Sequence, residues 1–442
     1  MTLLKRRKKT ISTVYIIYSV QTQKRIIASH IKIKTKMKVK NLLLAGLAVA
    51  AMTACSNDEI IDNDGIQTNG ENAAMQINFQ FPTTRVVSDG GTNAGIDIEY
   101  AATEITAVLE YTETNKRIVV KGLTFGQQTE SGARIYSTEK FQVEAGNNVK
   151  VYAFINPIME IPTTGLENLK VGKQKLPSEG LDYIAETIAK SGNFMMSNVN
   201  GEPTVIKAIV GGTDTNTANI SVERISAKLT EETKRSIDNK YELTTPTFVG
   251  PKVYVQILSH TYTNLADDSY VLGGRNAAWS SFLHPYKTGE VSETDYRWLN
   301  ATGTTYVLEN LGSEWNTATS TSVLYQGQVF FENDGNQEIA GTFYSRPKLQ
   351  SDGETWKVQI YKNWEELCAD VDLTGIGEND DVALANRSIM RYAGGKCYYQ
   401  APIEHFGVGA NIARNNWYQL KVTSIADLGY PKPVPPTPEN ET

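Results

Sequence analysis

The chain has 442 residues, 40% of them hydrophobic and 21% charged, with a formal net charge of −6 and three cysteines. That apolar fraction excludes an intrinsically disordered chain, and so few cysteines exclude a small disulfide-built scaffold. The length allows two or three domains.

Residues 1–36 hold ten Lys or Arg and no Asp or Glu, a pattern that on its own suits a nucleic-acid partner. The next segment opposes that reading. From Met37 the chain runs through Lys38 and Lys40, an apolar stretch Leu42–Ala51, and Met52-Thr53-Ala54 before Cys55. The apolar run is thirteen residues long, too short to span a bilayer, which takes about 20. A basic start, a short apolar core and small residues at its end make a secretory signal peptide. Cys directly after the small residue resembles the lipobox of bacterial lipoproteins, in which that Cys becomes the acylated first residue of the mature chain. Residues 37–54 are therefore read as a lipoprotein signal peptide and Cys55 as the lipidation site, with two or more acyl chains needed for a stable hold. An ordinary signal peptide with a chance Cys is the alternative. Residues 1–36 are read as an extension ahead of the true start at Met37. Residues 1–55 carry twelve basic and no acidic residues, so what remains has 31 basic against 49 acidic, a net of −18. An exported chain of that charge is a poor binder of nucleic acid or anionic lipid.

Residues 55–74, rich in Asp, Asn and Gly, form a flexible tether. "MQINFQF" then puts Met75, Ile77, Phe79 and Phe81 on one face and Gln76, Asn78 and Gln80 on the other, the period of a half-buried strand. Pro82 ends it. Arg85 is the only Lys or Arg between Cys55 and Lys116, and the Gly- and Asn-rich stretch after it reads as an exposed loop. "VKVYAFIN" (149–156), "ISVERISAKL" (220–229), "KVYVQIL" (252–258), "SVLYQGQVFFEN" (322–333) and "WYQLKVTSI" (417–425) alternate in the same way, with turn residues between them. The spacing predicts an all-β chain of two β-sandwich domains in tandem with few short helices. Helices are expected over 177–192, stopped by Gly192, and over 363–371. The domain boundary is placed in the polar, Pro-broken stretch 234–251, giving an N-terminal domain over 75–240 and a C-terminal domain over 250–430. Residues 431–442 are a Pro-rich tail of extended polyproline type.

Catalytic residue types are sparse. The mature chain has three histidines, His260, His284 and His405, in no metal-ligand or catalytic spacing. No catalytic residue, metal site or cofactor is expected, and the chain is read as a non-enzyme. Cys368 and Cys397 are a candidate disulfide, with two separate buried thiols as the alternative. "ENDGNQE" (332–338) reads as a hairpin turning through Asp334-Gly335, and "GENDD" (377–381) as a solvated acidic loop. The 22 tyrosines read as half-buried strand residues, with a sugar-binding platform as the alternative.

"GGKCYYQAPIEHFG" (394–407) followed by "ARNNWYQLKVTSIADLG" (413–429) resembles the C-terminal region of the Bacteroidales fimbrillins, the type V pilins. Lys396, Tyr398, Tyr399, His405, Phe406, Gly407, Arg414, Asn415, Trp417 and Tyr418 match that pattern. "VERISAKL" (222–229) resembles the strand closing the family's first domain, and "YVQILSHTYTNLADDSYVL" (254–272) the opening of its second. The resemblance implies two transthyretin-like sandwiches, export as an outer-membrane lipoprotein and delivery to the cell surface. It also implies a cut after an Arg behind the first strand, whose removal opens a groove for a neighbour's strand. Arg85 and the strand carrying Met75, Ile77, Phe79 and Phe81 stand at those positions. Many members carry a further alternating strand after the Pro-rich linker, whereas residue 442 lies within the linker.

The expected role is thus a structural subunit of surface fimbriae, supporting adhesion and biofilm formation, with other fimbrial subunits as partners and a host or bacterial surface ligand as a further one. The alternatives are a monomeric surface lipoprotein that binds glycans, and an accessory or terminal subunit that accepts a strand without donating one.

Overall fold

A computed structural model of the chain describes residues 31–33, 71–81, 84–86, 92–93, 99–128, 134–172, 188–190, 192–211, 216–243, 248–273, 282–283, 291–311, 316, 318–405 and 412–433. The expected signal peptide, Cys55, His284, Phe406, Gly407 and most of the Pro-rich tail lie outside these residues.

The fold is all-β. Fifteen strands organise it: β1 (Asn72–Gln80), β2 (Thr84–Val86), β3 (Ile105–Tyr111), β4 (Ile135–Thr138), β5 (Phe141–Glu144), β6 (Gly146–Ile155), β7 (Met196–Asn198), β8 (Thr217–Arg224), β9 (Ser226–Glu231), β10 (Val253–Thr263), β11 (Gly303–Leu308), β12 (Ser322–Asn333), β13 (Lys396–Pro402), β14 (Asn416–Leu420) and β15 (Val422–Ile425). Shorter strands extend them. Two short helices follow β12, α1 (Trp364–Asp370) and α2 (Asp381–Ala385). Their starts are set by capping. Asn363 accepts from Glu366 N at 2.9 Å and Asp380 from Ala383 N at 3.0 Å, so the acidic stretch 377–381 serves as a helix N-terminus.

The first sheet runs Lys116–Val120, β3, β6, β7, β8, β1, β4, Phe125–Gln128. Its two end strands are joined by residues 121–124 alone, so the sheet must curl until its ends meet. The curl encloses a core that includes Phe79, Leu109, Val151, Phe154 and Val222. The second unit is a two-sheet sandwich. One sheet runs β11, β9, β14, β2, Thr92–Asn93; the other runs Lys240–Glu242, β10, β12, Asn336–Ile339, with β13 also on β12. Between them lie Leu229, Val255, Ile257, Tyr325, Val329, Tyr399 and Tyr418. A four-strand sheet under the two helices has a small core of its own, with Tyr344, Tyr361, Leu367 and Leu384.

β12 spans the residues expected of it, and its hairpin turns through Asp334 (φ 49°) and Gly335 (φ 81°). Two consecutive positive φ values are what an Asn- or Asp-Gly hairpin turn supplies. Other expectations are corrected. β1 begins at Asn72, three residues inside the expected tether, because Ala73 is buried as well. The helix expected over 177–192 lies mostly outside the described residues. Its end is a hairpin of Ala189–Lys190 against Asn193–Phe194, with Gly192 at φ 75°. Six of the tyrosines, among them Tyr262 and Tyr418, are fully rather than half buried.

The chain changes core earlier than expected. Ile225 belongs to the first core, while Ala227 and Leu229 belong to the second. The stretch expected to link the domains is tied into the second unit. Arg235 pairs with the buried Glu231, donates to Leu299 O at 2.8 Å and contacts His260 Nδ1 at 2.7 Å. The alternation slips phase at Glu223-Arg224, with Ile220 and Val222 on one parity and Ile225, Ala227 and Leu229 on the other; the pattern shows a break there but not which sheet each side joins.

The two units are latched by buried charge. Arg414 (β13–β14 connection) donates to Glu309 at 3.1 Å, to Val271 O at 3.0 Å and to Ser269 Oγ at 3.2 Å. Glu223 on β8 is 8% exposed and accepts from Asn200 N at 3.0 Å. Burial pushes its carboxyl up to about 7; Arg414 and the Asn200 amide pull it down, and Glu309 adds to the rise. A carboxyl raised on folding gives stability that is present below its unfolded value of 4.5 and is lost as pH rises through about 7. His260 has the opposite slope, since burial and Arg235 hold its imidazole down at about 3. The clean readout is therefore a difference between variants. Glu223→Gln, a mimic of the protonated form, should gain on the parent as pH rises from 4.5 to 8, by up to about 3 kcal/mol. Urea unfolding of both proteins at pH 4.5, 6 and 8 checks this; a pH-independent difference would contradict it.

Candidate strand-exchange site

Strand β1 is the only segment of the first sheet that comes from the extreme N-terminal side of that unit, yet it sits in the middle of the sheet. Along β1 the residues alternate between buried and half-buried, as the sequence pattern dictates. Ala73, Met75, Ile77, Phe79 and Phe81 are 2%, 1%, 0%, 0% and 4% exposed. Phe79 stacks on Tyr136 with centroids 5.4 Å apart and meets Phe125 edge-on at 6.1 Å. Phe81 meets Tyr136 at 5.2 Å and Tyr100 at 5.9 Å, both edge-on. These are the offset and T-shaped geometries that aromatic quadrupoles favour.

Both edges of β1 are occupied. β8 pairs with it in parallel, Thr217 opposite Gln76 through Ser221 opposite Gln80. The other edge is antiparallel and is shared by two short strands. β5 takes Asn72–Met75, and β4 takes Asn78–Gln80. At the gap between those two strands a side chain takes over the ladder, because Thr138 Oγ1 accepts from Ile77 N at 3.0 Å. Asn216 holds the start of the strand by donating to Ala74 O at 2.8 Å.

The outward row is also engaged. Gln76 Nε2 donates to Thr138 O at 2.8 Å. Asn78 lies directly opposite Asn219 on one neighbour and Ser137 on the other. Its Nδ2 donates to Asn219 Oδ1 at 3.0 Å, and its Oδ1 accepts from Ser137 Oγ at 2.7 Å. The sequence pattern identified the inward residues but not these contacts. Period two says which way a side chain points and nothing of what stands beside it. The tyrosine and threonine of "RIYST" (134–138) gave no signal of their own.

Arg85 is not in a loop. Its backbone lies in β2, opposite Asn416 of β14 in parallel and opposite Thr92 in antiparallel register. Within four residues the chain thus leaves the first sheet and joins a sheet of the second unit. Turn-forming residues after Arg85 suggested an open loop, because a three-residue strand held by a partner more than 300 positions away leaves no local trace.

Cys368 and Cys397 are unbonded. Cys368 is exposed on α1, and Cys397 is buried in β13 within 3.5 Å of Tyr399 OH. Neither expected arrangement holds, since only one thiol is buried. His405 Nδ1 lies 2.9 Å from Tyr418 OH, a packing contact of the second core. Among the described residues no three His, Cys, Asp or Glu side chains gather as metal ligands do.

No family model matches the chain, and no curated protein matches it. Solved structures are similar at low levels. The tip fimbrial protein Mfa3 of Porphyromonas gingivalis, with a C-terminal truncation, aligns at 13% identity over 66% of this chain and 99% of its own, with a TM-score of 0.33. A fimbrial assembly protein of Parabacteroides distasonis aligns at 11% identity over 65% of this chain and 99% of its own, with a TM-score of 0.30.

The aromatic seat sets a clear contrast along β1. Phe79→Ala, at a fully buried ring among three aromatic neighbours, should cost about 3–5 kcal/mol of unfolding free energy. Gln80→Ala, on the outward row, should cost under about 1 kcal/mol. Denaturant unfolding of the two variants beside the parent decides between this and a strand that is merely laid on the surface, for which both costs would be small.

Proposed function

We propose that the chain is a structural subunit of cell-surface fimbriae, exported as a lipoprotein on Cys55, cut after Arg85 and assembled by exchange of strand β1 for a strand of another subunit. The observation that carries this reading is the placement of β1. A single N-terminal strand fills a groove with both edges paired and four large side chains buried, and the lone basic residue of the region follows five residues after its last paired position. At about 1.5–3 kcal/mol for each large buried side chain, the strand contributes on the order of 6–12 kcal/mol gross. That rivals the net stability of a domain.

Removing it would leave an apolar slot between β8 on one side and β4 with β5 on the other. Such a slot is repaired by strand addition, in which ladder bonds give affinity and alternate pockets accept side chains. Because Arg85 sits in a short strand, the cut needs local opening of β2 from β14 and from Thr92–Asn93. A three-residue strand is among the cheaper elements to open. The role is one of assembly and adhesion and asks for no catalytic group.

Two variants test the reading in cells. Cys55→Ala protein should carry no acyl mass and lose its membrane hold. Arg85→Ala protein should be exported and acylated, stay uncut and remain monomeric. Mass measurement of the surface protein and size analysis of sheared material check both. Fimbriae built from Arg85→Ala protein would overturn the mechanism.

A further inference from the structure

Strand exchange, the reading on which this inference rests, raises the question of which strands the groove admits and in which register. The inward row asks for apolar side chains at alternate positions, and sliding a strand by two residues keeps that alternation intact. Apolar pockets alone therefore fix the register weakly at the Ala73–Ile77 end. Two features single out one register. The first is the aromatic seat formed by Tyr100, Phe125 and Tyr136, which takes rings at the positions of Phe79 and Phe81. The second lies on the opposite face, where Asn219 and Ser137 flank Asn78 from both sides in one transverse row. Asn219 offers its Oδ1 to a donor, and Ser137 offers its hydroxyl to an acceptor. A carboxamide satisfies both at once because it carries a donor and an acceptor on one short stem.

We infer that Asn219 and Ser137 are specificity-determining residues of the groove, which read a carboxamide at the position of Asn78 and so admit partner strands of the form Asn-aromatic-x-aromatic in a single register. Neighbouring outward positions do not share this reading. Gln76 donates only to a backbone carbonyl, that of Thr138, which any register presents. Among residues 1–442 the motif occurs once, at Asn78-Phe79-Gln80-Phe81; Asn193, Asn363 and Asn416 precede an aromatic residue but lack the second ring. "WYQLKVTSI" lacks it too, and is built into the second unit as β14 and β15. A subunit strand that carries the motif is the occupant the groove admits.

The test uses the full chain nicked after Arg85 and fluorescent peptides of residues 71–81. The parent peptide should replace the resident strand, seen as co-migration on size exclusion and as anisotropy. The Asn78→Ala peptide should bind about tenfold more weakly to the nicked parent protein. On nicked Asn219→Ala protein, and on Ser137→Ala protein, the two peptides should come within about threefold of each other, because the reader is gone. Equal binding of both peptides to the parent protein overturns the inference and leaves strand exchange standing. Tenfold discrimination that survives both reader substitutions overturns it as well. If the parent peptide itself never enters the groove, strand exchange falls and the inference falls with it.

Discussion

The structure depends on one strand being held from both sides. β1 lends the first sheet its continuity, since β8 pairs with it along one edge and β4 and β5 along the other. Five inward side chains from Ala73 to Phe81 reach the core through this strand. The short neighbours explain why it matters so much. β4 and β5 have four residues each and part company around residues 139–140, so neither could hold its place without a longer strand to span the break. A nine-residue strand does so, and Thr138 closes the ladder where the break falls.

The joint between the units is polar where the units themselves are apolar. Glu99 is 1% exposed; it accepts from Lys228 Nζ and Tyr306 OH, both at 2.8 Å, and pairs with Arg224 at 3.5 Å. These partners hold its carboxyl below the usual range although burial works the other way. Breaking one member of such a set would strand a buried charge, which is costlier than never burying it. The joint is therefore specific in geometry. Beside it lies a water-sized cavity lined in part by Ser226, Asn415 and Asn416, whose Oγ and two Oδ1 atoms are buried without a partner in the chain. One water that donates to both amides and accepts from the hydroxyl would satisfy all three.

Local chemistry was legible in the sequence and long-range pairing was not. The span of β12, the Asp334-Gly335 turn and the short helix expected over 363–371 follow from propensity and turn preference within a few residues, and each is found where the pattern puts it. The inward face of β1 followed from its period. By contrast, the strand around Arg85, the exposure of Cys368 and the carboxamide row at Asn78 depend on partners elsewhere in the chain, and the phase break at Glu223-Arg224 shows that something changes without showing that the core does. The alternation that reveals a strand is identical whichever sheet receives it.

The mixed neighbours of β1 have a mechanical meaning. Ladder bonds to β4 and β5 run roughly at right angles to the strand axis, and those to β8 slant across it. A pull along that axis therefore strains all of them together, in shear, whereas a pull across it peels them one after another. Parallel pairing with β8 adds a direction: anchored by the opposite ends of the two strands, they slide past each other only if the whole overlap yields. A strand lodged in this seat is thus weakest to sideways peeling from an end and strongest to tension along its length.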